Sequence, residues 1–593
     1  MSTADESAAI SSRPSERWTL TPFEPKLAAQ LAETADLPLA VAELLVARGI
    51  TSSEAAAEFL NPNISQLHSP YLMLGMETAV KRVETAIARG EIILLYGDYD
   101  VDGTTAVVLL KTAIEMLGGI VRFHVPHRLR EGYGLQASVL EEAFAAGVRL
   151  VITVDTGMRA FAEAKAAAAM GLDLIITDHH LAAATDELPT ALAILNPNQH
   201  RCSYPSKDLC GAGIAMKLAQ ALLERRDEVR TRTKTLPSFL KLLSIATVAD
   251  AVPLLGENRA IVALGLKELS HPVGLGLCAL MEVAQIDPAK RRLTAFDLGF
   301  RLGPRINAAG RMDVAGEVVE LFTTRDAVRV KELAAKLEAQ NQERRQTEKD
   351  ALEQIEERLA TDASLVADRL LVLEGTGWHR GVIGILASRV VDRTAKPALV
   401  VAIEDGVAYG SGRSVRNFHL LNALESCRNE FTRFGGHAYA VGFAIPAEQL
   451  PKLRQKLQEY AVDHLPENPV RELECHAELP LNNLNPELGK WIARLEPFGH
   501  GNPEPQFLAR GVRVCRAVRI LKERHAKLEL AEGPRGVVWQ ALAWQQAERT
   551  REIGIVEGTL LDIVYRLREN EHPQFGGLEL EVVSMRPAES ETE

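Results

Sequence analysis

Three aspartates at alternate positions, Asp98, Asp100 and Asp102 in IILLYGDYDVDGTT, directly follow an apolar run. An extended backbone sends alternate side chains to one side, so the three carboxylates are expected to converge on a cation. The same spacing opens an EF-hand loop. The bidentate Glu needed at loop position twelve would fall on Leu109, however, and a strand rather than a helix precedes the motif. Two further apolar runs end alike, LVITV in Asp155-Thr156-Gly157 and LIIT in Asp178-His179-His180, and a fourth, IATVA, meets Asp250. One aspartate after a strand is ordinarily a cap or turn residue. Four such termini, one carrying three carboxylates, point to a shared site. Crowded like charges must protonate or be compensated. Carboxylates with one or two imidazoles suit Mn2+ or Mg2+ better than Zn2+, which recruits Cys or additional His. Two such ions, roughly 3.5–4 Å apart, could clamp a phosphoryl centre and activate water, so the chemistry expected is phosphoester hydrolysis.

The elements that must position these groups follow from the surrounding pattern. Between residues 91 and 324, short apolar runs alternate with amphipathic stretches such as TTAVVLLKTAIEML, the signature of a parallel sheet with crossover helices. In such a sheet ligands bind beyond the carboxyl ends of the strands, where the acidic groups stand. The fold class is therefore α/β. Residues 1–17 read as a disordered tail and 18–90 as a helical lead-in. Segment 325–362, without Gly or Pro up to Ala360 and charged along its length, should be one long connecting helix. Its apolar seam breaks at Asn341 to Arg345, against a coiled coil. A second α/β domain is expected over 363–464, and short alternating runs over 465–593 suggest a small β-barrel. In that barrel, Arg510, Arg513, Arg516, Arg519, Lys522, Arg524 and Lys527 form a locally basic stretch able to track phosphates or to serve only as a solvated face. Phe507 and Trp539 are the nearby aromatics.

Within the second α/β segment, Gly435-Gly436-His437 would let backbone N–H groups approach a phosphate, with His437 as a further donor. Gly410-Ser411-Gly412-Arg413-Ser414 adds a guanidinium and a hydroxyl suited to the same task.

Gly97-Asp98-Tyr99-Asp100-Val101-Asp102-Gly103, Val154-Asp155-Thr156-Gly157, Asp178-His179-His180 and Ala249-Asp250 resemble, in order and spacing, the four motifs of the DHH phosphoesterase family. The resemblance implies that Asp98, Asp100, Asp102, Asp155, His179 and Asp250 hold two Mn2+ or Mg2+ ions, with Asp155 bridging. It also implies that Asp178 orients His179 and that His180 meets the scissile phosphate or aids proton transfer. The GGH element looks like that of the DHH-associated domain, although Ala440-Val441-Gly442 stands where Ala-Ala-Gly is usual. Stretches around Arg128, Arg305 and Trp378, and Pro497-Phe498-Gly499-His500-Gly501-Asn502-Pro503, are similar to the family's single-stranded-DNA exonuclease branch. They extend the resemblance over nearly the whole chain after residue 18 and add Arg128, Arg305, Arg413, Ser414, Gly435, Gly436 and His437 as substrate contacts. The last domain then corresponds to an oligonucleotide-binding (OB-like) barrel. This branch implies 5′→3′ hydrolysis of single-stranded DNA threaded between the two α/β domains, a repair and recombination role, a RecQ-like helicase and a single-strand-binding protein as partners, and a monomer.

Composition narrows the setting. At 593 residues the chain needs several cores, and its 47% hydrophobic, 25% charged composition is that of a globular protein. A net charge of −12 argues against a uniformly basic surface but not against a local basic groove. The six cysteines include no CxxC pair, there is no ~20-residue apolar run, and MSTADESAAISSRPSER lacks a leader pattern, which suggests the cytoplasm and no membrane. Rival readings are a short-oligonucleotide or cyclic-dinucleotide phosphodiesterase, an inorganic pyrophosphatase, and a non-catalytic replisome scaffold.

Overall fold

The computed structural model describes residues 15–588 apart from 128–130, 133, 183–186, 272, 312–314 and 571–576. Tail residues 1–14 and Arg128 thus lie outside the described residues. Two compact units divide the chain: Leu20–Glu338 with the segment from Glu474 onward, and Ala339–Leu473 with the N-terminal segment ending at Thr19.

The first unit is built on five parallel strands, in the spatial order Ile120–His124, Ile92–Tyr96, Val148–Val154, Asp173–Thr177, Ala193–Leu195. Their near-continuous apolar runs suit a sheet covered on both faces, and separate hydrophobic cores lie on each side. The strand order reverses between Ile92–Tyr96 and Val148–Val154, so the crevice at the carboxyl ends of these two strands is where a ligand is accommodated. One expectation fails here. IATVA is not a strand but the end of helix Leu236–Ala249, and Asp250 is its C-terminal cap. Five apolar residues cannot separate the two states, and the run belongs to a longer helical pattern opened by Pro237.

The helical lead-in also divides. Helices Pro25–Thr34, Leu39–Ala47 and Ser53–Leu60 share a core with the C-terminal barrel, whereas Met76–Arg89 packs into the parallel-sheet domain. The barrel is a seven-stranded sheet. Strand Phe507–Val514 pairs with both Leu560–Asn570 and His525–Ala531, which closes the sheet on itself. The barrel begins later than residue 465, because Val470–Cys475 instead pairs with Ser15–Leu20, a strand where tail and lead-in were expected.

In the second unit a five-stranded mixed sheet runs Arg433–Gly436, Ala440–Pro446, Val407–Arg413, Ala398–Glu404, Leu371–Thr376, with only the last two parallel. The long helix Ala327–Thr361 crosses the division between the units and lends Ala351 and Ile355 to the core beneath this sheet. No helix among the described residues is long and apolar enough to cross a membrane.

Candidate metal centre

The chain leaves strand Ile92–Tyr96 and turns at once into helix Val101–Met116, so the three aspartates do not alternate along an extended backbone. Asp98 lies in the turn, Asp100 is the helix N-cap and accepts from Gly103 N at 3.0 Å, and Asp102 sits in the first helical turn. The turn is tight: a Cβ on Gly103 would come within 2.6 Å of the Asp98 backbone. Asp102 is buried, and its two oxygens accept from Gly211 N (2.6 Å) and Ala212 N (2.9 Å), the first amides of helix Gly211–Arg230. That helix end favours a carboxylate.

Asp155 follows strand Val148–Val154 with φ +61, a left-handed conformation unusual for a residue with a Cβ and one that occurs at functional sites. Gly211 presses against it, since a Cβ there would lie 2.5 Å from Asp155 Oδ1. His179 bridges two acids, with Nε2 3.2 Å from Asp155 Oδ1 and Nδ1 3.8 Å from Asp250 Oδ2. Three groups bring ligand atoms within 4.8 Å of one another: Asp98, Asp100 and Asp155; Asp102, His179 and Asp250; Asp155, His179 and His180. Asp155 and His179 each belong to two of them.

Asp178 serves a different neighbour from the one expected. Its Oδ1 accepts from His180 N (3.1 Å) and lies 2.7 Å from His180 Nδ1, and its Oδ2 accepts from Met158 N. The strand ends at Thr177 and the chain bends at His180, whose amide and ring both close onto Asp178 while His179 faces Asp155 and Asp250. Burial pushes the Asp178 carboxyl up, but the bonds from His180 and Met158 outweigh it and hold it below its usual value. Burial likewise opposes charge on His180, yet Asp178 raises its pKa, so this half-exposed imidazole is shifted toward the cation. His179 is shifted the other way by burial, toward the neutral form that ligates metals.

Burial, then repulsion from Asp102, Asp100, Asp98 and Asp250, raises the Asp155 carboxyl well above the carboxylate range, and Asp250 is pushed up to about 9 by burial and by Asp102 and Asp100. Among the described residues, Asp155 Oδ1 and Asp250 Oδ2 are buried without a hydrogen-bond partner. Donors, charge and unmet oxygens thus all fit divalent cations with hard oxygen and imidazole preferences.

Positioning residues that the motifs alone do not reveal surround the site. Asn307 Oδ1 accepts from Val101 N, Asn198 Nδ2 donates to His179 O, and Asn196 Nδ2 donates to His180 O. The Asn-Pro-Asn turn directly after strand Ala193–Leu195 was the available signal.

In the other unit, Arg413 and Ala440 are paired across adjacent strands, which brings the two glycine-rich motifs together. Gly436, at φ +141, is required because a Cβ would meet Ala440 O at 2.2 Å; around Gly435 there is open space. His437 is exposed. Arg413 donates to Gly412 O and Ser411 Oγ, and Ser414 gives its hydroxyl hydrogen to Phe418 O, so Ser414 reads as a turn residue. Arg305 is committed elsewhere, donating to Glu338 Oε2 (2.5 Å) and to Arg301 O, which anchors the long helix rather than leaving an open phosphate site. In the barrel, Arg510 pairs with Glu478 and both Arg516 and Arg519 approach Glu529, which dilutes the basic stretch. Phe507 is wholly buried and Trp539 donates to Leu481 O, whereas Trp544, overlooked in the sequence, is half exposed beside the His525 ring.

Known families match along this framework: the DHH family N-terminal domain over residues 92–247, the DHHA1 domain over 365–463 and the RecJ OB domain over 475–584. The single-stranded-DNA-specific exonuclease RecJ of Bacillus subtilis is 36% identical, over 94% of this chain and 69% of that protein; the one from Escherichia coli is 34% identical over 84% and 88%. The chain belongs to the RecJ family. A crystal structure of RecJ in complex with Mn2+ from Thermus thermophilus superposes with a TM-score of 0.81 at 29% identity, covering 98% of this chain and 80% of that one. A RecJ complex with Mg2+ from the same organism gives 0.76.

Proposed function

We propose that the protein is a metal-dependent exonuclease that hydrolyses single-stranded DNA from its 5′ end to 5′-mononucleotides, in the cytoplasm, in repair and recombination. A helicase of the RecQ type and a single-strand-binding protein would supply the strand, with the enzyme acting as a monomer. The observation that carries this reading is the buried acidic cluster at the strand-order reversal, in which Asp155 and Asp250 keep oxygens without hydrogen-bond partners among the described residues.

Asp98, Asp100, Asp102, Asp155, His179 and Asp250 would hold two Mn2+ or Mg2+ ions, with Asp155 shared between them. When bound, such ions activate water and stabilise the leaving oxygen of an in-line displacement. The chain's own groups supply orientation. Asp178 fixes the His180 ring and shifts it toward the protonated form, in which the other ring nitrogen would offer a donor to a phosphate oxygen. Helix Gly211–Arg230 fixes the Asp102 carboxyl through two amides, leaving its outer lone pairs for metal. Arg413, with Gly435, Gly436 and His437 of the neighbouring hairpin, would take the 5′ phosphate, since its guanidinium donates to neutral acceptors, Gly412 O and Ser411 Oγ, beside that hairpin. Trp544 offers a face on which a base can stack.

Purified protein with Mn2+ should shorten an end-labelled single strand while leaving a blunt duplex, a dinucleotide and pyrophosphate largely intact. Hydrolysis of either small substrate without shortening of the strand would overturn the assignment. Asp155→Ala should abolish cleavage and leave binding of the oligonucleotide measurable by anisotropy; undiminished turnover contradicts the shared-ligand role.

A further inference from the structure

The loop leading into the barrel, Leu495 to Pro503, is bonded to the segment that carries Asp250. Beyond Asp250 the chain reverses through Ala251, at φ +56, and Leu254 N then donates to His500 O at 2.7 Å. Two loop glycines permit the approach. A Cβ on Gly499 would lie 2.7 Å from Leu254 Cδ1, and one on Gly501 would lie 3.0 Å from Pro253 Cβ.

Helix Gly256–Leu269 starts two residues after Leu254 and returns the grip. Arg259, buried on that helix, gives Nη1 to Leu495 O (2.9 Å) and Nη2 to Glu496 O (2.8 Å) and Arg494 O (3.2 Å), while its Nε reaches Phe59 O in the N-terminal helices. The loop is rigid in itself. Asn502 is fully buried and donates to Leu495 O and Pro497 O while accepting from Arg48 Nε. Asn258 ties the same segment across the site, with its side-chain amide bonded to Pro253 O (3.1 Å) and Asp208 O (2.6 Å). Asp208 lies just ahead of Gly211 and Ala212, whose amides hold Asp102.

We propose that the loop Leu495–Pro503 is a positioning element of the metal centre: by clamping Pro253–Leu254 and Arg259 it fixes Asp250, and through Asn258 the backbone that orients Asp102. The barrel is then not only a grip on DNA but a support of the hydrolytic site. A carboxylate at a helix C-terminus followed by a left-handed residue has little local restraint of its own. Supports of this kind set metal affinity by pre-organising the ligand.

The proposal rests on the metal centre read above, and two variants test it. Gly499→Ala pushes a methyl onto the flexible end of Leu254, and Arg259→Lys keeps the charge but cannot span three successive carbonyls. Binding of Mn2+ to each full-length protein is followed by electron paramagnetic resonance of the free ion, and binding of a single-stranded oligonucleotide by anisotropy in EDTA. Mn2+ affinity should fall about tenfold. Oligonucleotide affinity should stay at the parental value, and turnover lost at low Mn2+ should return at high Mn2+ without a change in KM for DNA. Parental Mn2+ affinity in both variants, or a loss confined to oligonucleotide binding, overturns the proposal. An Asp155→Asn control separates the two readings. If it too binds Mn2+ normally, the metal centre itself is wrong; if it alone loses Mn2+, only the loop's role falls.

Discussion

Two of the places where the larger unit buries carboxylates treat the charge in opposite ways. Lys217 and Glu257 are fully buried, with Nζ 2.6 Å from Oε1. Lys217 also donates to His68 O and Gln220 Oε1, and Glu257 accepts from His68 N and the Tyr204 hydroxyl. The cluster of Asp98, Asp100, Asp102, Asp155 and Asp250 instead sets acid against acid, and burial with mutual repulsion drives Asp155 and Asp250 toward protonation. Burial of charge is common to both. What distinguishes the functional site is that its compensation must come from outside the chain, whereas Lys217 and Glu257 complete each other and tie the segment around His68 to two helices.

The widest separation of the two sites should come from Lys217→Met. Of similar length and without charge, Met leaves Glu257 buried with no cation, a change that costs about 3–5 kcal/mol. Urea denaturation should show that loss, and Mn2+ affinity should remain parental. A comparable drop in metal affinity would mean that the sites are not independent, and the comparison would break.

Tyr204→Phe probes the same pair more gently. It removes one hydrogen bond to an ionised group while Lys217 and the His68 amide remain, so about 1.5–3 kcal/mol is expected from the same denaturation experiment. An effect as large as that of Lys217→Met would show that the hydroxyl, not the ammonium, sustains Glu257.

What the sequence disclosed follows the same division. The strands IILLY, LVITV and LIIT were legible because unbroken β-rich apolar runs bounded by acids have few other readings, and the long helix because 35 residues carry neither Gly nor Pro. The acidic and histidine residues that converge in the candidate metal cluster could be picked out as types, but the route by which they converge could not. Asp100 reaches the site as a helix cap and Asp250 as a helix end, and both depend on tertiary packing that a five-residue window does not encode. The resemblance implied that Asp178 orients His179, and the structure bonds it to His180 instead, a pairing that follows from the local turn and not from the motif. Arg305, a substrate contact by resemblance, bonds Glu338 on the long helix, a partner that no local pattern discloses. The Lys217–Glu257 pair, forty residues apart on separate helices, left no pattern to read.

The smallest expected effect gives the sharpest contrast, because its sign differs from that of an ordinary ion pair. In metal-free protein the carboxyls of Asp155 and Asp250 have folded pKa values raised above their unfolded ones, Asp250 to about 9. Between the unfolded value near 4 and the folded value, the native state binds more protons than the unfolded chain, so stability falls as pH rises. A salt-bridged carboxylate, with its pKa lowered, gives the reverse slope. In EDTA the Tm of the parent should therefore be higher at pH 5 than at pH 8 relative to Asp155→Asn, in which one repelling carboxylate is gone. At pH 8 in EDTA that variant should melt above the parent, by about 1 °C for each kcal/mol relieved in a compact unit of this size. Mn2+ should raise the Tm of the parent at pH 8 and not that of the variant. Equal pH slopes for the two proteins would show that Asp155 is ionised and internally compensated, like Glu257, and the difference drawn between the two sites would disappear.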